Sequence, residues 1–540
     1  MKTMGRRFIR TLSIITLTLL SCTATMAEAP RLVVNIIVGS LSNSDLDRYS
    51  ANFSDGGFKR LMDDGVRYHN AMLDYANTST AAGLATIATG TNPAAHGVVG
   101  ESWWNYVDGS YVELLADKKA QSVPHSTGTG RYSPHRLTAP TIGDMLIMHN
   151  KESKSCTIAI NPASAILLTG KHGVGYWAES KQTHWTTTSA YIPTLPKWIG
   201  EYNREGENSI YNMKRWRPLY TPQHYINSEV AIMEGITGKT TTLITDIDLT
   251  LTNSDFGKMC YTPAGNSMIL KFAFQYITKE SLGRDEHPDI INISLDTARY
   301  IAQTYGTESM EYEDMLYRLD KDIEDFLIRL YAQFKHKEQV VVTLSSCHGT
   351  SPSYNIKGDA PRERLNIGQM EVLVNAYLGA KYGSDRYILG YANKALYLNH
   401  TLINSKRLDL ATIREEVATF LLQMRGISSA ISATALRNTF FGEGRSRLMQ
   451  QSFCPTRSGD VLIDLLPGWI VEQEGIRSAS DAGYSYDRNT PLIIYRSGMS
   501  QSVEREVSIE ALAPTLAYLL RIERPWAATE PTLSEFREKN

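Results

Sequence analysis

VVVTLSSCHG, residues 340–349, decides how this chain folds. Val340 to Leu344 suit a strand covered on both faces, since β-branched and apolar residues pack well on a pleated surface and leave no side for water. The run then breaks into small residues and delivers Cys347-His348 at the strand's carboxyl end. Residues 31–38 (RLVVNIIV) have the same character, and 155–160, 290–295, 461–466 and 491–495 are further strand candidates. Helical patterns lie between them. Phe58, Leu61 and Met62 are spaced for a helix ending at Gly65, and 310–334 and 509–520 predict two more. Strands alternating with helices predict an α/β fold with a mostly parallel sheet sandwiched by helices. Such folds place their sites beyond the carboxyl ends of the strands, where Cys347 and His348 fall.

Residues 1–29 read as an export signal. Lys2, Arg6, Arg7 and Arg10 form a basic head, residues 11–20 a short apolar run, and Ala27 and Ala29 the small residues a signal peptidase reads. The run is shorter than the about 20 apolar residues that span a bilayer. Leu19-Leu20-Ser21-Cys22 resembles a lipoprotein box, so the alternative to a soluble exported protein is one lipidated at Cys22. No later segment is apolar enough to cross a membrane, which leaves Cys22 as the expected route of any membrane association. The expected location is the periplasm or outer membrane of a Gram-negative bacterium. The chain has 55 Lys and Arg against 57 Asp and Glu. This balance argues against a nucleic-acid surface, which needs a clustered basic excess. Cys156, Cys260, Cys347 and Cys454 are far apart and match no zinc-knuckle spacing; disulfide pairing stays open. Residues 30–102 and 286–530 are expected to form the core. Residues 103–285, rich in Trp, Tyr, Thr and Gly, are expected as a cap or insertion, and 531–540 as a tail.

Eight stretches occur in a telling order: GGFKRL (56–61), ATGTNPAAHGVVG (88–100), LPKW (195–198), TPAGNS (262–267), ESMEYEDMLYRLDKDI (308–323), RSGDVLIDLLPGW (457–469), YSYDRNTPLI (484–493) and EALAPTLAYLL (510–520). On these motifs the chain resembles the phosphate-irrepressible alkaline phosphatases, a branch of the alkaline phosphatase superfamily related to type I phosphodiesterases and nucleotide pyrophosphatases. The resemblance implies phosphomonoester hydrolysis by two zinc ions, six metal ligands and a Thr nucleophile, the metals lowering the nucleophile's pKa and stabilising the leaving group.

Followed through the flanking motifs, the family's six metal positions fall on Gly39, Arg299, Gln303, Cys347, His348 and Ser480, so His348 alone keeps a ligand's chemistry. Asp481, beside Ser480, is a conceivable oxygen ligand. The substrate-contacting positions fall on Glu101, Pro162 and Ser164, and the nucleophile on Thr80, with Thr78 and Ser79 close by. No metal cofactor is therefore expected. Thr80 reads first as a helix cap. Cys347 reads as a buried strand-end thiol rather than a nucleophile, and His348 as a hydrogen-bonded core histidine. Arg299 is expected either to hold a small anion or to pair with Glu101, the ion pair accounting for both substitutions at once. Trp103 and Trp104 are expected in cap packing rather than a binding cleft. These readings predict a secreted, catalytically degenerate pseudophosphatase that binds an unknown protein or a small anionic ligand. The alternative is a divergent phosphomonoester or phosphodiester hydrolase with metal-poor or metal-free chemistry.

Overall fold

The computed structural model describes residues 28–124, 130–178, 184–205, 216–227, 260–352, 364–480 and 482–537. Residues 1–27, with Cys22 and most of the expected export signal, and Asp481 lie outside the described residues. The strands that matter here are β1 (Leu32–Val38), β2 (Val66–Met72), β3 (Ser122–Val123), β4 (Ser155–Ala159), β5 (Val174–Ala178), β6 (Trp185–Thr188), β7 (Asp289–Leu295), β8 (Val340–Ser345), β9 (Ile388–Ala392), β10 (Ala395–Leu398), β11 (Ile427–Ser432), β12 (Val461–Leu465), β13 (Leu492–Arg496) and β14 (Gln501–Ser508). Ten of them form one sheet in the order β14-β2-β13-β8-β1-β7-β4-β5-β6-β3. Its centre, from β8 to β5, is parallel, while β13, β6 and β3 run antiparallel to their neighbours.

The helices used below are α1 (Thr80–Thr89), α2 (Ile142–His149), α3 (Pro162–Thr169), α4 (Ala264–Lys279), α5 (Thr297–Tyr305), α6 (Met310–Tyr331), α7 (Ile367–Tyr382), α8 (Leu410–Leu421) and α9 (Leu512–Leu520). The pleat of β1 divides them into two layers. Leu32, Val34, Ile36 and Val38 pack with α4, α5 and α6, whereas Val33 and Ile37 face α1, α2, α3 and α9, because successive side chains of a strand point to opposite faces. All seven residues of β1 are buried, as are those of β7 and the six of β8. The edge strand β14 is different: Val503 and Val507 alternate with exposed polar residues, a pattern that blunts pairing with other chains.

The expected cap boundary is corrected by the sheet. β3, β4, β5 and β6, all within 103–285, are strands of the main sheet. Residues 388–465, expected in the core, instead build a four-stranded sheet in the order β9-β10-β12-β11. With α7 and α8 it encloses its own hydrophobic cluster and forms a second lobe. The tight turn from β9 to β10 puts Asn393 and Lys394 in the left-handed region (φ 52° and 62°), the conformation that two-residue hairpins require. No helix among the described residues is long and apolar enough to cross a membrane.

Candidate functional site

Parallel pairing aligns the carboxyl ends of β1, β7 and β8, with Ile37 opposite both Ser294 and Ser345. Gly39, Asp296 and Cys347-His348 therefore emerge on one rim of the sheet. α5 follows β7 directly and brings Arg299 over Gly39. A Cβ on Gly39 would lie 2.8 Å from the Cβ of Arg299, so a side chain at position 39 requires the start of α5 to shift.

The Arg299 guanidinium lies over the Tyr300 ring at 4.5 Å, and its Nε is buried without a hydrogen-bond partner among the described residues. Burial works against its charge, but Tyr300, Asp296, Cys347 and Glu101 outweigh that and hold it more firmly protonated than usual. Asp296 accepts from the Ser164 hydroxyl (2.7 Å), the Ser294 hydroxyl (3.2 Å) and the Asn161 N–H (3.2 Å). Burial raises its pKa; Arg299 and these hydrogen bonds oppose the rise. Ser164 is thus committed to Asp296, while Pro162 is the first residue of α3, capped by Asn161. The expected Arg299–Glu101 ion pair does not form: Glu101 is exposed and starts a hairpin in which its carbonyl accepts from Leu114 N–H at 2.8 Å. Trp103 is buried in the core beneath the Arg457 guanidinium (4.9 Å), and Trp104 packs on Tyr111 and Tyr397.

On the other side of the rim the sequence reading of Thr80 changes. Ser79 is the N-cap of α1, its hydroxyl accepting from Ala82 N–H at 3.4 Å. Thr80 is the first helical residue, and its Oγ1 is free to reach His348 Nε2 at 2.9 Å. His348 Nδ1 stands 2.6 Å from the Gly349 carbonyl. A carbonyl only accepts, so Nδ1 carries the proton; in the neutral ring Nε2 is then the acceptor and Thr80 donates to it.

Two glycines make this approach possible. A Cβ on Gly83 would fall 1.9 Å from the Cys347 carbonyl oxygen, and one on Gly349 would fall 2.1 Å from the Tyr486 carbonyl oxygen. The first lets α1 press against the end of β8; the second fixes the loop holding His348. Cys347 is buried, and burial pushes its thiol up to about 11. Ser480 and Thr78 bond each other reciprocally, each hydroxyl donating to the other's carbonyl at 2.8 and 2.6 Å. The Gln303 carbonyl, on α5, accepts from Arg477 N–H. Among the described residues no group of three or more His, Cys, Asp or Glu side chains stands together as a metal site.

The second lobe braces the loops that carry these residues. Lys394 Nζ donates to the Ala76 carbonyl (2.9 Å) and pairs with buried Asp464. Arg445 pairs with the other Asp464 oxygen (2.6 Å) and donates to the Ala482 and Gly483 carbonyls (2.7 and 2.9 Å). Ser452 Oγ accepts from the N–H groups of Ala76 and Asn77, both at 2.9 Å, and Asn393 donates to the Ser102 carbonyl (2.6 Å). Nothing in the sequence marks Lys394 for this role.

The chain as a whole has known relatives. The profile of the type I phosphodiesterase / nucleotide pyrophosphatase family matches residues 33–485. The chain belongs to that family, within the alkaline phosphatase superfamily. It is 27% identical over 515 residues to the alkaline phosphatase PafA of Elizabethkingia meningoseptica, covering 94% of each chain. It is 28% identical over 506 residues to the alkaline phosphatase PhoV of Synechococcus elongatus, covering 92% of this chain and 91% of that one. The crystal structure of PafA superposes with a TM-score of 0.84 at 25% identity, over 94% of this chain and 99% of that one.

Proposed function

We propose that this phosphatase-family protein binds a small anion, with a phosphate ester as the natural candidate, through Arg299, and does not hydrolyse phosphomonoesters by a two-zinc route. The Gly39–Arg299 pair carries the reading: a fixed cation occupies the rim, and position 39 opposite it is a glycine packed within 2.8 Å of the Arg299 Cβ, with no carboxylate to hold a metal. The remaining donors fit zinc poorly. A catalytic zinc takes at least three protein ligands, and a Cys ligand must be a thiolate. Cys347 is buried at the strand end, His348 Nε2 faces Thr80, and Ser480 is bonded to Thr78. A guanidinium fork suits phosphate oxygens, and Arg299 has an Nε with no partner to give up among the described residues.

The basic head and short apolar run at the amino terminus support export to the periplasm or outer membrane, with lipidation at Cys22 as the anchored form. A protein partner is the other occupant this face could serve. The test pairs metal analysis of the purified protein with calorimetric titration of phosphate and a phosphomonoester. Substoichiometric zinc and anion binding weakened at least about tenfold in Arg299→Leu, the loss of one charge-assisted contact, are expected. Two zinc ions per chain, or phosphomonoester turnover that a chelator abolishes, would sink the reading. Chelator-resistant phosphoester turnover lost in Thr80→Val would favour the metal-free hydrolase instead.

A further inference from the structure

The contact between Thr80 and His348 goes beyond anion binding. We infer that these two residues form a metal-independent nucleophile–base pair for acyl transfer from a carboxylic ester; the inference rests on the reading above, in which the rim holds an arginine and no zinc pair. An alcohol nucleophile needs a base within hydrogen-bond reach, and that base needs a partner fixing its tautomer. Both are present. Thr80 Oγ1 lies 2.9 Å from His348 Nε2, and the Gly349 carbonyl holds the proton on Nδ1 at 2.6 Å. His348 is 2% exposed, while Thr80 is partly open to solvent, so a substrate can reach the hydroxyl while the imidazole stays screened.

The supporting backbone is closely packed: Gly83 lets α1 press on the Cys347 carbonyl, and Gly349 seats the His348 loop on the Tyr486 carbonyl. Ser79 caps Ala82, which leaves the Thr80 and Ala81 N–H groups of the ten-residue helix α1 without carbonyl partners in the helix. They are donors suited to a developing oxyanion at the positive end of the helix.

Charge selects the substrate class. A transferring phosphoryl group spreads negative charge over three oxygens, and its stabilisation takes several cations. This rim offers one guanidinium, with the Glu101 carboxylate close enough to act on it. A carbonyl develops a single negative charge, which two N–H donors can meet, while Arg299 holds an anionic group elsewhere on the ester. In the step, Thr80 Oγ1 attacks the carbonyl carbon and its proton passes to His348 Nε2. The C–O bond to the alkoxy group breaks, and that oxygen leaves with the proton from Nε2. Water then attacks the acyl-Thr80 ester, giving its proton to His348. The carboxylic acid departs and the proton returns to Thr80 Oγ1.

The test treats the full chain with p-nitrophenyl acetate in the presence of a chelator and locates the acyl group by peptide mass mapping. Acetyl-Thr80 is expected, retained in Thr80→Ser, absent in Thr80→Val, and formed about 10²-fold more slowly in His348→Gln, the usual loss of a positioned base. No adduct at residue 80 in either the wild type or Thr80→Ser, labelling indifferent to His348→Gln, or labelling that the chelator abolishes would each overturn it. If His348→Gln fails to fold, the Thr80→Ser and Thr80→Val pair still decides. Zinc content and anion binding at Arg299 are read separately, so failure of this inference is distinguishable from failure of the reading it rests on.

Discussion

The sheet rim and the loops braced by the second lobe enclose the same site by different means. On the rim, position is set by strand register, and the side chains are few and mutually exclusive: Arg299 stands where Gly39 has nothing, and Ser164 serves Asp296. On the loop side the backbone itself is held. The Ala76 carbonyl and N–H, the Asn77 N–H and the Ala482 and Gly483 carbonyls are each bonded to a side chain of the second lobe or its flanking segments. The contrast separates scaffold from chemistry. A sheet edge tolerates exchange of what it displays, because its geometry comes from backbone pairing. The loops are held in addition by specific side chains, among them the buried Lys394–Asp464–Arg445 cluster.

The largest effect is therefore expected away from the rim. Lys394→Met removes the cation from a carboxylate, Asp464, that is completely buried. Breaking such a pair from one side typically costs about 3–5 kcal/mol. Arg445 still contacts Asp464, which places this variant towards the lower end of that range. Denaturant unfolding measures it. A change within experimental error would mean that the brace is ornamental and that the two sides do not differ as argued.

Next in size is the steric exclusion on the rim. Gly39→Ala should destabilise by about 1–3 kcal/mol, the usual cost of overpacking, because its Cβ would meet that of Arg299 at 2.8 Å. Arg299→Gly removes the obstacle. In the double variant most of the Gly39→Ala penalty should vanish, a coupling well above the about 0.3–0.5 kcal/mol scatter of independent sites. Strict additivity in this cycle would break the claim that positions 39 and 299 exclude each other.

What the sequence disclosed follows the same division. β1, β7 and β8 were legible because buried parallel strands write themselves as unbroken apolar runs. β5 and β6 are not: VGYWA and WTTT carry Gly, Trp and Thr in place of such a run, a composition that reads as a cap. The rim positions Gly39, Arg299, Cys347 and His348 could be listed from flanking motifs, yet their mutual geometry could not. Thr80 and His348 are 268 positions apart, and the glycines that let them meet, Gly83 and Gly349, resemble any other glycine in a one-dimensional text. The reading of Thr80 as a cap failed for a local reason. Ser79, one residue earlier, has the extended backbone (φ −70°, ψ 149°) that a cap needs.

The smallest expected effect tests that last point. Thr80→Val keeps the branched shape and removes only the hydroxyl, which bonds His348 and nothing else of the described residues. An N-cap threonine would lose about 1–2 kcal/mol on such a change. A first-turn threonine with a single neutral hydrogen bond should lose about 1 kcal/mol or less, because Ser79 still caps the helix and Nε2 lies beside a partly open residue that water can reach. Thermal unfolding of Thr80→Val, compared with Ser79→Ala, separates the two. If Ser79→Ala proves the more costly, Thr80 is not a structural fixture of α1. The reverse order would return it to the cap, and the hydroxyl held against His348 would be a piece of helix chemistry with no claim on a substrate.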